Sequence, residues 1–167
     1  MNTQTISSSV IVDFPVFSIY RPMDLSHGLS GQVESAVKDF VQTCGVSNVD
    51  QQGFYQQTLK SIATMTTIPG SGDFWVIMQG ERLVGYLIAR TVLDIDDKLC
   101  YWISQAWVGK SHRGNPIVKC WFEEMRQRAK DLFCSHIVYV ASRNPEAYKR
   151  FLRNGVHDYA TLLKEDL

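Results

Sequence analysis

Apolar and polar positions along this chain fall into blocks with two different periods. Val10 to Tyr20 alternates loosely, which predicts a first strand ended by Pro22 and Asp24. From Gln32 to Val41 the apolar residues Val33, Ala36, Val37, Phe40 and Val41 recur at helical spacing. A polar connector over 42–50 leads to a second helix over Gln51–Met65, interrupted in composition by Gly53. Pro69-Gly70-Ser71-Gly72 marks a loop over 66–73. The period then shortens. Phe74–Met78 and Leu83–Val92 read as two strands joined at Gln79-Gly80-Glu81, and Leu99–Val108 as a third, rich in aromatic and β-branched residues.

Val118, Trp121, Phe122, Met125, Ala129 and Leu132 form one stripe of a helix of about four turns. A strand over His136–Ala141, a short helix over Pro145–Leu152 and a last strand over His157–Leu163 complete the chain. The order predicts an α/β (α+β) fold: a mixed, mostly antiparallel sheet flanked by helices. The strand–helix–strand unit over 99–141 predicts a parallel strand pair with a right-handed crossover. One domain is expected over 1–167, frayed at 1–9.

Composition narrows the class. With 45% hydrophobic and 20% charged residues, the chain can bury a core and is not of the disordered type. No apolar run is long enough for a bilayer and no leader-like segment is visible, so a cytoplasmic protein without a membrane partner is expected. Cys44, Cys100, Cys120 and Cys134 lack CxxC or zinc-type spacing and read as reduced thiols. Net charge is zero but uneven: residues 1–100 carry 6 Lys/Arg against 10 Asp/Glu, and residues 101–167 carry 11 against 7. A basic C-terminal half suits a phosphorylated ligand, although a solvated surface gives the same balance. No basic cluster is dense enough to indicate nucleic acid.

The most informative stretch is Val108-Gly-Lys-Ser-His-Arg-Gly-Asn-Pro-Ile-Val118, between a strand and a helix. Arg113 and Gly114 put a cation and a permissive backbone in the turn. Asn115 suits an N-cap and Pro116 the first helical position. The amides of Ile117, Val118 and Lys119 are then candidates to face an anion at the positive end of the helix. A well-capped helix that binds nothing is the alternative.

This stretch resembles the V-x-P-x-x-R-G-x-G-x-G/A turn of the GNAT acyl-CoA N-acyltransferases, with Val108, Arg113 and Gly114 in register. Asn144, Ala147, Phe151, Gly155 and Val156 resemble the family's later N-x-x-A-x-x-x-Y-x-x-x-G-F run. The hairpin Gly80–Gly85 is similar to its second and third strands. The likeness covers about residues 74–163 by motif and 10–65 by element order only. It implies acetyl-CoA or coenzyme A as cofactor and an amine as acceptor. Backbone near Trp107 and Val108 would hold the pantetheine arm between splayed fourth and fifth strands. Arg113, Gly114, Asn115, Ile117, Val118 and Lys119 would hold the pyrophosphate, and Asn144 would join the cofactor site. The amine would attack the thioester directly.

Four departures fall within the matched motifs. Lys110 and Pro116 stand where the family has Pro and its second Gly, and Pro116 has no N–H to donate. Val118 replaces a small residue. Phe151 stands where many members have the tyrosine that protonates the leaving thiolate. Tyr148 would substitute only if its helix were rotated. No acid lies in Tyr101–Trp107; Asp94, Asp96 and Asp97 precede that strand, where an acidic turn is the commoner explanation, and Ser104 or Gln105 would orient only a water. His112 lies beside the anion loop as a contact or surface residue; for His27, His136 and His157 the sequence alone suggests no partner. The four tryptophans are core candidates. Catalytic residues are therefore left unassigned. Two other readings stay open. One is a GNAT fold with lost or weakened catalysis, acting as a binding or structural module with a second copy or another protein. The other is a nucleic-acid-modifying relative of the kind phages carry.

Overall fold

The computed structural model describes residues 16–43 and 50–139. Among the described residues, five strands form one sheet in the order β1-β2-β3-β4-β5: β1 (Phe17–Tyr20), β2 (Asp73–Gln79), β3 (Arg82–Leu93), β4 (Leu99–Val108) and β5 (His136–Tyr139). The first three pairings are antiparallel and β4–β5 is parallel, as the alternation of elements requires. The helix α3 (Pro116–Asp131) makes that crossover. The early part of the expected first strand, and the expected helix and strand over 145–163, lie outside the described residues.

The two faces of the sheet carry separate cores. On β2, Phe74, Val76 and Met78 meet α1 (His27–Thr43) and α2 (Gln51–Thr67) through Val33, Val37, Val41 and Ile62. Trp75 and Ile77 point the other way, toward Trp121, Met125 and Ala129 of α3. A strand covered on both faces loses its polar alternation, which is why β2 reads as a continuous apolar run. Fully burying a side chain of this size contributes about 1.5–3 kcal/mol, so these two clusters hold the sheet between its helices.

The element limits differ from the sequence reading in instructive places. Helix α1 begins at His27, five residues before Gln32, because Leu29 extends the buried stripe and the Ser26 carbonyl and hydroxyl accept the amides of Ser30 and Leu29. Helix α2 runs through Gly53 and on to Thr67. A Cβ at position 53 would meet only the exposed Asp50 side chain at the helix start, which can turn aside. The following loop is tight. Gly72 takes φ 144°, and a Cβ would lie 2.7 Å from Met65 Cε and 2.9 Å from the Ala89 carbonyl. The hairpin β2–β3 turns through Gly80 and Glu81 alone, with Gln79 opposite Arg82.

Two register shifts set which side chains reach which face. Ile77 pairs with Gly85 but Met78 with Leu83, leaving Val84 without an opposite number. On β4, Gln105 pairs with Ile88 and Ile103 with Ala89, so Ser104 is the extra residue. Past that point β4 turns Gln105 and Trp107 toward α1 and α2, while Tyr101 and Ile103 face α3. Such shifts re-aim side chains and bend a strand locally.

Candidate functional site

Three features meet at the C-terminal end of β4: a strand with an extra residue, a basic turn and a helix start. The described parallel pairing runs from Cys100–His136 to Ile103–Tyr139. Residues 140–167 lie outside the described residues.

Beyond Ser104 the α1/α2 face of β4 carries a polar network. Gln105 Nε2 donates to Thr58 Oγ1 at 2.8 Å, and the Tyr86 hydroxyl donates to Gln105 Oε1 at 3.3 Å. Both ends of the amide are thus held. Trp107 stacks on Tyr86 with ring centres 5.9 Å apart, and its Nε1 donates to Asp39 Oδ2 at 2.6 Å. Asp39 was not singled out in the sequence. It sits beside the apolar stripe of α1, and only the packing of α1 on β4 brings it to Trp107. Asp39, Trp107, Arg82, Lys110, Ser111 and His112 line a cavity of about 550 Å³. That volume falls in the usual range of about 300–1,000 Å³ for small-molecule sites.

The turn itself is built from side chain to backbone contacts. Gly109 N donates to the Val84 carbonyl at 2.9 Å, tying the strand end to β3. Lys110–His112 form one short 3-10 turn. His112 is half-buried: Nε2 lies 3.0 Å from Gln79 Oε1, Nδ1 2.9 Å from Ser111 Oγ, and its ring meets Phe17 edge-on. Both ring nitrogens are engaged, so His112 braces the turn. Arg113 folds back so that Nε donates to the Val108 carbonyl at 3.1 Å. Gly114 takes φ 85°, a left-handed conformation that reverses the chain before the helix.

Asn115 caps α3 as its position suggested: Oδ1 accepts the Ile117 amide at 3.0 Å, and Pro116 occupies the first turn. The Val118 amide donates to the Asn115 carbonyl at 3.0 Å. Two of the three amides expected to face an anion are thus engaged within the helix start. Ile117 joins the α3 core; Val118 is half-buried; Lys119 is exposed, its Nζ 4.0 Å from Glu123. Asn144, Tyr148 and Phe151 lie outside the described residues.

The donor set nonetheless suits a polyanion. Lys110, His112, Arg113 and Lys119 fall between Val108 and Lys119, and no carboxylate does. The oxygens of a pyrophosphate would meet guanidinium and ammonium donors, with the helix N-terminus behind them.

The acidic turn has a structural role. Asp94 Oδ1 accepts the amides of Asp96 at 2.8 Å and Lys98 at 2.9 Å, and Oδ2 lies 3.1 Å from His136 Nε2. It closes the β3–β4 connection at the opposite end of β4 from Val108. Trp75 and Trp121 are core residues, while Trp102 and Trp107 are half-buried.

Comparison with known proteins agrees with this fold. No curated protein matches the chain, but solved structures do. The fold is similar to that of the aminoglycoside N-acetyltransferase AAC(6')-Iy in complex with CoA, at 10% identity and TM-score 0.72, covering 95% of this chain and 99% of that one. It is also similar to a ribosomal-protein-alanine N-acetyltransferase from Brucella melitensis biovar Abortus 2308 (13%, TM-score 0.62, 90% and 99% covered). A transcriptional regulator from Bacillus halodurans C-125 is similar as well (17%, TM-score 0.66, 91% and 100%). At these identities the likeness is one of fold. The family model of the GNAT acetyltransferases matches residues 35–156, more than half the chain and all of β2 through β5. With the sheet order, the basic turn after β4 and this match together, the chain belongs to the GNAT acetyltransferase family.

Proposed function

We propose that the protein transfers an acyl group, in the first instance acetyl, from coenzyme A to an amine. The observation that carries this is the turn from Val108 to Lys119: a left-handed Gly114, an N-capped helix start and a basic donor set free of carboxylates, at the end of β4. Arg113, Lys110 and Lys119 would hold the phosphates, with the turn backbone around Gly114. Backbone groups of β4 near Trp107 and Val108 would line the pantetheine arm. Coenzyme A supplies the activated thioester; the protein's share is positioning and polarisation of the carbonyl.

Among the described residues, β4 presents no side chain to take a proton from the amine. Gln105 cannot act as a base, and both ends of its amide are occupied. Where solvent takes that proton, turnover rises with pH toward the pKa of the acceptor amine. Thiol release from acetyl-CoA with a panel of primary amines, followed from pH 6 to 10, tests this. A plateau at neutral pH, well below the amine pKa, would mean that the protein supplies a base.

The second reading, a GNAT fold that binds without catalysing, rests on a specific observation. Pro116 offers no donor, and the Ile117 and Val118 amides are already bonded to Asn115. Calorimetric titration with acetyl-CoA separates the two. Saturable binding together with amine-dependent thiol release supports the transferase. Binding without turnover across the amine panel supports the second reading.

A further inference from the structure

Asp39 lies on α1 between Val37, which is buried, and Phe40, which packs on the same core. Its own side chain is half-buried and reaches β4. Oδ2 accepts Trp107 Nε1 at 2.6 Å, the one hydrogen bond that the carboxylate makes among the described residues. Asp39 makes no ion pair among them. A carboxylate offers about four acceptor positions, and an indole N–H is a single neutral donor. The charge of Asp39 is therefore left without a cation. Trp107 is well fixed for its part, stacked on Tyr86, which is wholly buried.

Among the described residues, Asp39 is the only acid in the wall of the cavity of about 550 Å³ beside the basic turn. His112, in the same wall, has both ring nitrogens engaged. Lys110 belongs to the turn proposed to hold the phosphates, and those phosphates would offset it and the neighbouring Arg82. A ligand cation then has one acid to meet. Its position along β4 matters. With the phosphates at the turn and the pantetheine arm along Trp107 and Val108, the thioester lies farther from the turn than Trp107 does. Asp39, held at Trp107, is thus set back from the reacting carbon. An amine must be neutral to attack, whereas an ion pair with a carboxylate keeps an ammonium protonated. Asp39 therefore suits an ammonium that does not react.

We propose that Asp39 determines the acceptor class: it binds one ammonium of a diamine or polyamine whose other amine is acylated. The assignment rests on the transferase reading. In that step the C–N bond forms as the C–S bond breaks, one proton leaving the amine and one joining the thiolate.

The test is a calorimetric titration, with coenzyme A present, of linear diamines and of the monoamines of the same chain length. Wild type should bind at least one diamine about tenfold more tightly than its monoamine, the gain of one charge-assisted hydrogen bond. D39N, which keeps an oxygen for Trp107 Nε1, should bind the two about equally, and D39E should retain the preference. E34Q, which removes an exposed carboxylate of α1, should also retain it. No diamine preference in wild type, or one that survives in D39N, would overturn the proposal. Thiol release from acetyl-CoA with the same amines keeps the two readings apart. Release without a diamine preference leaves the transferase standing and removes the role of Asp39. A preference lost in D39N, without release by any amine, supports Asp39 as the ammonium site and tells against the transferase.

Discussion

Asp73 shows how one residue joins four elements. It starts β2, and its carboxylate collects Arg21 from the segment after β1, Tyr101 from β4 and Arg128 from α3. Burial alone would raise its pKa. The hydrogen bonds from Arg128, Arg21 and Tyr101 outweigh that and hold it below the usual carboxylate value. Burial, with the charge of Asp73, pushes the Tyr101 hydroxyl upward, so it remains a donor. Asp73→Ala should cost about 2–3 kcal/mol in denaturant unfolding, below the full figure for a buried pair because Arg21 and Arg128 are 39% and 28% exposed. A carboxylate with a depressed folded pKa stabilises above its unfolded value and ceases to as pH falls through the folded one. The acid limb of the stability curve, below about pH 4, should therefore flatten in Asp73→Asn. An unchanged limb would show that Asp73 is not the group being titrated.

None of this network was legible in the sequence. Arg21 and Arg128 stand 52 and 55 residues from Asp73, and no periodicity links them. Asn115 was legible, because an N-cap is a local device read from one residue and its successor. Asn115→Ala should cost about 1 kcal/mol of stability, measured by denaturant unfolding, since it leaves the Ile117 amide without its side-chain acceptor.

At the scale of elements, strands were easier to place than helix limits. β2 and the first two thirds of β3 are covered on both faces, so their apolar runs stand out. The start of α1 was hidden because Gly28 and Gly31 dilute its first turns. The β4 register shift at Ser104 has no sequence signature, yet it decides that Gln105 and Trp107 face α1 and α2. The helix start of α3 carries two demands in one place. Pro116 suits the first turn of a helix and removes a donor from an anion site. Pro116→Ala should restore that donor. We expect acetyl-CoA to bind about tenfold more tightly, as one hydrogen bond to a charged group allows. Calorimetry on the variant checks this; unchanged affinity would place the phosphates away from the first turn of α3.

For the whole molecule, sequence and structure agree on what is local and repeated, and part where distant segments meet. Among the described residues, the order of elements, the parallel β4–β5 pair and the capped helix after β4 all followed from patterns within a few tens of residues. The cavity beside Trp107 and Asp39 and a second cavity at the other end of the sheet are products of packing. The two cavities give the molecule opposite ends of different chemistry. One lies beside the basic turn after β4, and the other beside the Asp73 network. Among the described residues, no helix is long and apolar enough to cross a membrane.

The central claim is that the turn from Val108 to Lys119 binds the phosphates of an acyl-CoA. Calorimetric titration of wild type and Arg113→Gln with acetyl-CoA tests it most directly. The account expects saturable binding to wild type and binding weaker by about tenfold in the variant. No binding to wild type at millimolar acetyl-CoA, or equal affinity in both proteins, would contradict it.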